Sequence, residues 1–277
     1  SVKVRLGQVV QAGEVLGLCG SSGRSPQPHL HIHLQATPDL GAATIPCTFS
    51  DAVVMDGDQQ LVHTALIPTE KQVVRNLEPD EERGSFLASF APGHGGEWRF
   101  QIGDREERVV CEVDVYGQPL LRSLSYGTVL RYVLTDDLLT TYDVSGPRRS
   151  VLYLLRTALP RIPLESCEPL RWRDLLPGRL VRPLWLQLFH DFVAPIVARD
   201  GVTVELSARR DGQLLQIDSQ SLSAAKEKES EPRLRTRVLL ARGLGVVRIE
   251  VTMRGRTIRA ERVTAPTTQE NTQKDKS

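Results

Sequence analysis

The chain is poor in the features that usually disclose a function at first reading. Lysine plus arginine (35) nearly cancels aspartate plus glutamate (34) over 277 residues, leaving a formal net charge of +1. That balance gives no electrostatic case for nucleic acid as a partner. No run approaches the roughly 18 apolar residues of a membrane helix, and the apolar stretch Pro183–Ala198 is too short for a comfortable span. Cysteine is scarce and scattered, at Cys19, Cys47, Cys111 and Cys167. Without a C-x-x-C pair, a structural zinc knuckle is not expected. A Walker loop, a G-x-S-x-G elbow and a dinucleotide fingerprint are all missing. No signal peptide is visible. Histidine is also rare, six in all, and none precedes His29.

Half of those histidines fall within five residues. The stretch from Gly17 to His33 runs through a glycine- and serine-rich turn and two prolines into His29-Leu30-His31-Ile32-His33. In an extended strand, residues two apart share a face, so three imidazoles would stand on one side. Imidazole is a preferred ligand of zinc. Taken alone, H-x-H is equally well the polar face of a half-buried sheet.

The flanking residues point further. Gly7-Gln8-Val9-Val10-Gln11-Ala12-Gly13-Glu14-Val15-Leu16-Gly17, then Ser21-Ser22-Gly23-Arg24-Ser25 and Pro28-His29-Leu30-His31, resemble the lysostaphin-type (LytM-like) zinc metallopeptidases. These are peptidoglycan endopeptidases, and the resemblance covers about residues 4–50. It implies that His31 is a zinc ligand and that His29 polarises the zinc-bound water or steadies the tetrahedral intermediate. His33 departs from the pattern, where an acidic residue is common. It is a support behind the ligands, a surplus ligand or a plain strand residue, with support or no role preferred. The family also uses an upstream H-x-x-x-D and a further histidine, which this chain lacks. The expectation is therefore a C-terminal piece of the peptidase domain, N-terminally truncated and inactive by itself. The resemblance further implies Zn2+, peptidoglycan stem peptides or cross-bridges as substrate, and the bacterial cell envelope as location. In that setting disulfides are allowed, with three pairings. Cys19 and Cys47 are the best local pair, and free buried thiols are the equal alternative.

The expected fold class is mainly β with some helix, α+β overall. A truncated β-sheet metallopeptidase-like domain (the duplicated hybrid motif) occupies residues 1–50, and 51–84 form a connecting segment. An accessory domain covers 85–263, β-rich with one or two helices, and a disordered tail 264–277. Within the accessory domain, Val109, Cys111, Val113 and Val115 alternate as in a half-buried strand. Further strands are expected at 97–102, 120–125, 129–135 and 140–144. Val151–Leu159 reads as a helix stopped by Pro160. Pro183–Ala198 reads as a second helix, with His190 packed or at the surface. Asp211-Gly212 signals a hairpin, followed by a meander over 235–263. Arginines 235, 237, 248, 254, 256 and 259 alternate with apolar residues there, giving either a solvated face or a face for anionic glycan or lipid.

Three functions are open. The first is a fragment of a zinc endopeptidase. The second is a degenerate member that binds the wall or activates other wall hydrolases. The third is a carrier-type hairpin fold, which the missing lysine turn and the Pro28-His29-Leu30-His31 match disfavour.

Overall fold

The computed structural model describes residues 1–11, 13–21, 26–39, 41–56, 59–94, 96–181, 201–222 and 234–263. It is mainly β with some helix and divides into two compact units, Ser1–Thr48 and Phe49–Ser277. The expected helix Pro183–Ala198, His190 and the tail 264–277 lie outside the described residues.

The first unit is sparse. Val2 bridges Gly17 in antiparallel fashion, with Lys3 N–H donating to Leu16 O at 2.9 Å and Leu18 N–H to Ser1 O at 2.9 Å. Strand β1 (Leu34–Gln35) pairs with β2 (Thr44–Ile45). None of its described residues is buried, and Val9, Leu16, Leu18, Leu30 and Ile32 are all exposed.

The second unit holds the core. Its strands are β3 (Ala52–Asp56), β4 (Gln59–His63), β5 (Val73–Asn76), β6 (Glu97–Ile102), β7 (Arg105–Val113), β8 (Pro119–Ser123) and β9 (Val129–Leu134). They continue as β10 (Leu138–Ser145), β11 (Arg161–Pro163), β12 (Leu170–Pro177), β13 (Gly201–Asp211), β14 (Leu214–Ser221), β15 (Leu234–Ala241), β16 (Gly245–Met253) and β17 (Arg256–Arg262). Helices are α1 (Glu81–Gly84), α2 (Val151–Ala158) and α3 (Gly178–Val181), with a 3₁₀ segment at Ser85–Phe90. Among the described residues one sheet runs β11-β10-β9-β8-β7-β6-β17-β16-β15-β14-β13-β12-β4-β3-β5. Every pairing is antiparallel except β12 with β4. Consecutive strands joined by short turns pair antiparallel, which accounts for the meander β6–β10 and for the hairpins β13–β14 and β15–β17.

Alternation sets which side faces in. On β6, Trp98, Phe100 and Ile102 are buried while Arg99 and Gln101 are exposed. Phe90 stacks edge-on against Trp98 (centroids 5.2 Å) and Tyr132 (5.6 Å), a favourable arrangement for rings. Helix α2 packs on β9, β10, β15 and β16, so it fills the interior between both meanders. Its first turn is capped twice. Ser150 Oγ accepts from Leu152 N–H at 3.2 Å, and the fully buried Glu107 accepts from Val151 N–H at 2.7 Å.

Three details differ from the sequence-based expectation. The stretch 51–84, read as a connecting segment, supplies β3, β4, β5 and α1. Its charged part turns helical because the Asp80 side chain accepts from Arg83 N–H at 3.1 Å, an N-cap. The strand that carries the alternating run from Val109 ends at Val113, and Val113 and Val115 are both exposed. Asp114 Oδ1 accepts from Tyr116 N–H and Gln118 N–H, both at 2.9 Å, and this Asp-centred turn stops the ladder.

Candidate metal half-site

His29, His31 and His33 precede β1, which begins only at Leu34. A ladder partner is missing for residues 29–33 among the described residues, so the backbone there is extended coil rather than strand. The expected grouping still partly forms. His29 Nε2 lies 2.7 Å from His31 Nε2, with ring centroids 4.7 Å apart and planes tilted by 32°.

The opposite ring nitrogen explains how the pair is aimed. His29 Nδ1 is 3.0 Å from the Gln27 carbonyl oxygen, which can only accept, so Nδ1 carries the proton. In the neutral ring this leaves the Nε2 lone pair free and directed at His31, whose Nε2–H is then the donor. Fixing one imidazole nitrogen with a carbonyl so that the other can ligate is how proteins orient metal-binding histidines. Gln27 is the participant that the sequence did not reveal; its only signal is a backbone acceptor two residues before a histidine.

No family model, no curated protein and no solved structure matches this chain. The chemistry of the pair therefore stands on its own geometry.

Zinc sits about 2.0–2.1 Å from imidazole nitrogen, so two tetrahedral ligands are about 3.3 Å apart. The 2.7 Å contact is a hydrogen-bonded pair that needs to open by about 0.6 Å to straddle such an ion, a small side-chain rotation. Imidazole nitrogen is a donor that suits the metal. Catalytic zinc takes three protein ligands, however, and no group of three His, Cys, Asp or Glu residues suited to a metal exists among the described residues. The pair is a partial site, with His31 as the one candidate ligand and His29 beside it.

His33 is exposed and makes no hydrogen bond among the described residues. Cys19 and Cys47 are exposed free thiols, and Cys111 and Cys167 are half-buried free thiols. Burial pushes both of the latter thiols up, away from thiolate reactivity. Cys111 Sγ instead contacts Tyr132 Oη at 2.9 Å and Phe90 O at 3.2 Å. His94 is exposed, its Nδ1 3.2 Å from Pro92 O. His63, on β4, is held below its ordinary value by burial and by the Arg173 charge.

Proposed function

We propose that His29 and His31 are one half of a zinc endopeptidase site of the LytM type, acting on peptidoglycan cross-links in the bacterial envelope. The carrying observation is the 2.7 Å convergence of two Nε2 atoms with His29 Nδ1 locked on the Gln27 carbonyl. In this reading the first unit belongs to a duplicated-hybrid-motif sheet. Its exposed Val9, Leu16, Leu18, Leu30 and Ile32 support that, since such side chains are the inward face of a sheet awaiting its complement.

The division of labour follows from the two rings. His31 would offer Nε2 to the metal once its proton moves to Nδ1 and the hydrogen bond to His29 opens. His29, with Nδ1 held by the Gln27 carbonyl, has its Nε2 beside that nitrogen and would be the general base that takes a proton there. When bound, zinc supplies Lewis acidity and a water acidified to a pKa of about 7. The remaining ligands are not among the described residues. The same incompleteness favours a second reading, a degenerate member that binds the wall or activates other wall hydrolases.

The test compares wild type with His31→Ala and His33→Ala. Bound zinc is measured by elemental analysis and cleavage by release of soluble wall peptides. The reading expects one zinc per protein, loss of metal and at least about a hundredfold loss of hydrolysis in His31→Ala, and a small effect in His33→Ala. Unchanged hydrolysis in His31→Ala refutes the ligand assignment. Wall binding without zinc or hydrolysis in the wild type selects the degenerate member.

A further inference from the structure

The outward face of β12–β16 carries a groove of about 540 Å³. The residues that line it divide by charge in an uneven way. Each of its three acids already has a guanidinium. Glu205 takes Arg173 at 3.1 Å, Asp218 takes Arg237 at 2.7 Å, and Glu250 takes Arg259 at 2.9 Å. Arg171, Arg209 and Arg235 also line the groove, and none of them holds an ion pair or hydrogen bond among the described residues. The uncompensated charge of the groove is therefore wholly positive. Ser207 and Gln220, between these arginines, likewise have no side-chain hydrogen bond among the described residues.

The strand register fixes the spacing. Arg171 faces Ser207, so Arg209 stands two residues further along the neighbouring strand. Arg235 faces Gln220, Gln220 faces Glu205, and Glu205 faces Arg173, so Arg235 lies three strands from Arg171 and two residues off its row. With strands about 4.8 Å apart and a rise of about 3.4 Å per residue, Arg171 and Arg209 are about 8 Å apart at Cα, and Arg171 and Arg235 about 16 Å. No single small anion reaches both ends. A chain with repeated anionic groups does. Free Ser and Gln side chains along the path suit hydroxyl groups. Among the described residues no aromatic side chain lines the groove, so bases find no platform there on which to stack, and stacking is what holds single-stranded nucleic acid.

We propose that this groove binds an extended acidic polysaccharide, its carboxylates meeting Arg171, Arg209 and Arg235 and its hydroxyls meeting Ser207 and Gln220. The site is built entirely from the second unit and does not depend on the zinc reading. Recognition by charge and hydrogen bonds without stacking makes the binding steeply salt-sensitive.

The experiment is affinity electrophoresis of the 277-residue chain in gels containing polygalacturonate, with neutral dextran as the uncharged control and single-stranded DNA as a competing polyanion. Arg171→Gln/Arg235→Gln is compared with Arg254→Asn/Arg256→Gln. The latter removes the same charge from the β16–β17 turn, outside the groove, and asparagine tolerates the positive φ at position 254. The expected results are retardation by polygalacturonate only, loss of affinity by about tenfold in the groove variant, and less than about twofold change in the turn variant. Circular dichroism checks that both variants are folded, and Ser207→Ala/Gln220→Ala gives a second, charge-neutral reading of the groove. Absence of retardation, equal loss in the two charge variants, or tighter binding of the DNA overturns the proposal. Retention of binding in His31→Ala separates this site from the metal reading, whichever way the hydrolysis test falls.

Discussion

Replacing Arg83 by alanine should cost the second unit more than any other single charge deletion described above. The side chain is wholly buried. Its Nε donates to Glu165 O at 3.0 Å, and its Nη2 donates to Glu168 Oε1 at 2.8 Å and Cys167 O at 3.3 Å, with an Asp80 oxygen 3.7 Å from Nε. Removal orphans two carbonyls, each worth about 1–3 kcal/mol when left dry, and empties the volume of a long side chain. Two features temper the loss. Glu168 keeps Arg210 at 2.9 Å, so it is not abandoned, and Arg83 Nη1 has no hydrogen-bond partner to lose. The balance is about 3 kcal/mol. For a unit of this size that lowers Tm by about 6–12 °C, read by calorimetry or by fluorescence of the buried Trp98 and Trp172. Arg83→Lys should fall between, since an ammonium cannot fork to three acceptors along one plane. Arg99→Ala is the control. It removes an exposed contact to Glu97, which retains Arg108, and should cost less than about 0.5 kcal/mol. If Arg83→Ala lies within about 1 kcal/mol of wild type, or matches Arg99→Ala, the buried hub is not what ties α1 to the 165–168 segment.

Two further outcomes are expected. Gly245 has φ +76°, and an added Cβ would lie 1.8 Å from Ser89 Oγ, so Gly245→Ala should destabilise by about 2–4 kcal/mol in urea titration. Gly212→Ala, at φ +57° with nothing within 4 Å, should cost only about 1–2 kcal/mol, and equal midpoints would refute the clash. In acid, the Arg108 guanidinium, helped by Arg99, holds the Glu97 carboxyl down at about 2 from an ordinary 4.5. A depressed folded-state value contributes stability above about 4.5, and that contribution is lost as pH falls toward about 2. The Tm gap between wild type and Glu97→Gln should therefore be present at about pH 6 and gone near about pH 2. A gap that stays constant across that window contradicts it.

The strands that sequence periodicity located are those with one wet face. On β6 the alternation of Trp98, Phe100 and Ile102 with Arg99 and Gln101 is legible from residue type alone, and Asp211-Gly212 and Arg254-Gly255 mark turns where the chain does need positive φ. Residues 51–84 were less readable, because Val53 and Val54 are both buried, and a strand covered on two sides loses its alternation. Residues 160–181 hide β11, β12 and α3 behind four prolines and interspersed arginines. Their order comes from partners far away in sequence, as where Trp172 pairs with Val62. At the histidine motif the residue types were legible and the local conformation was not. Strand pairing begins just past the motif, at Leu34, and the convergence of His29 with His31 depends on the Gln27 carbonyl, which no side-chain pattern encodes.

The two meanders meet along a narrow seam. β17 joins β6 through only two residue pairs, Glu261 with Gln101 and Arg262 with Phe100, extended by Val263 N–H donating to Arg99 O at 2.8 Å. Those paired positions are 160 and 162 residues apart in the chain, whereas the neighbours within β6–β10 are one turn away. Closing a loop of that length brings a large entropic cost for very few bonds, so the seam cannot start assembly. Each meander zips up from its own hairpins first, and α2, which touches strands of both, is the piece on which they are brought together. The continuous sheet is thus the last product of assembly rather than its template.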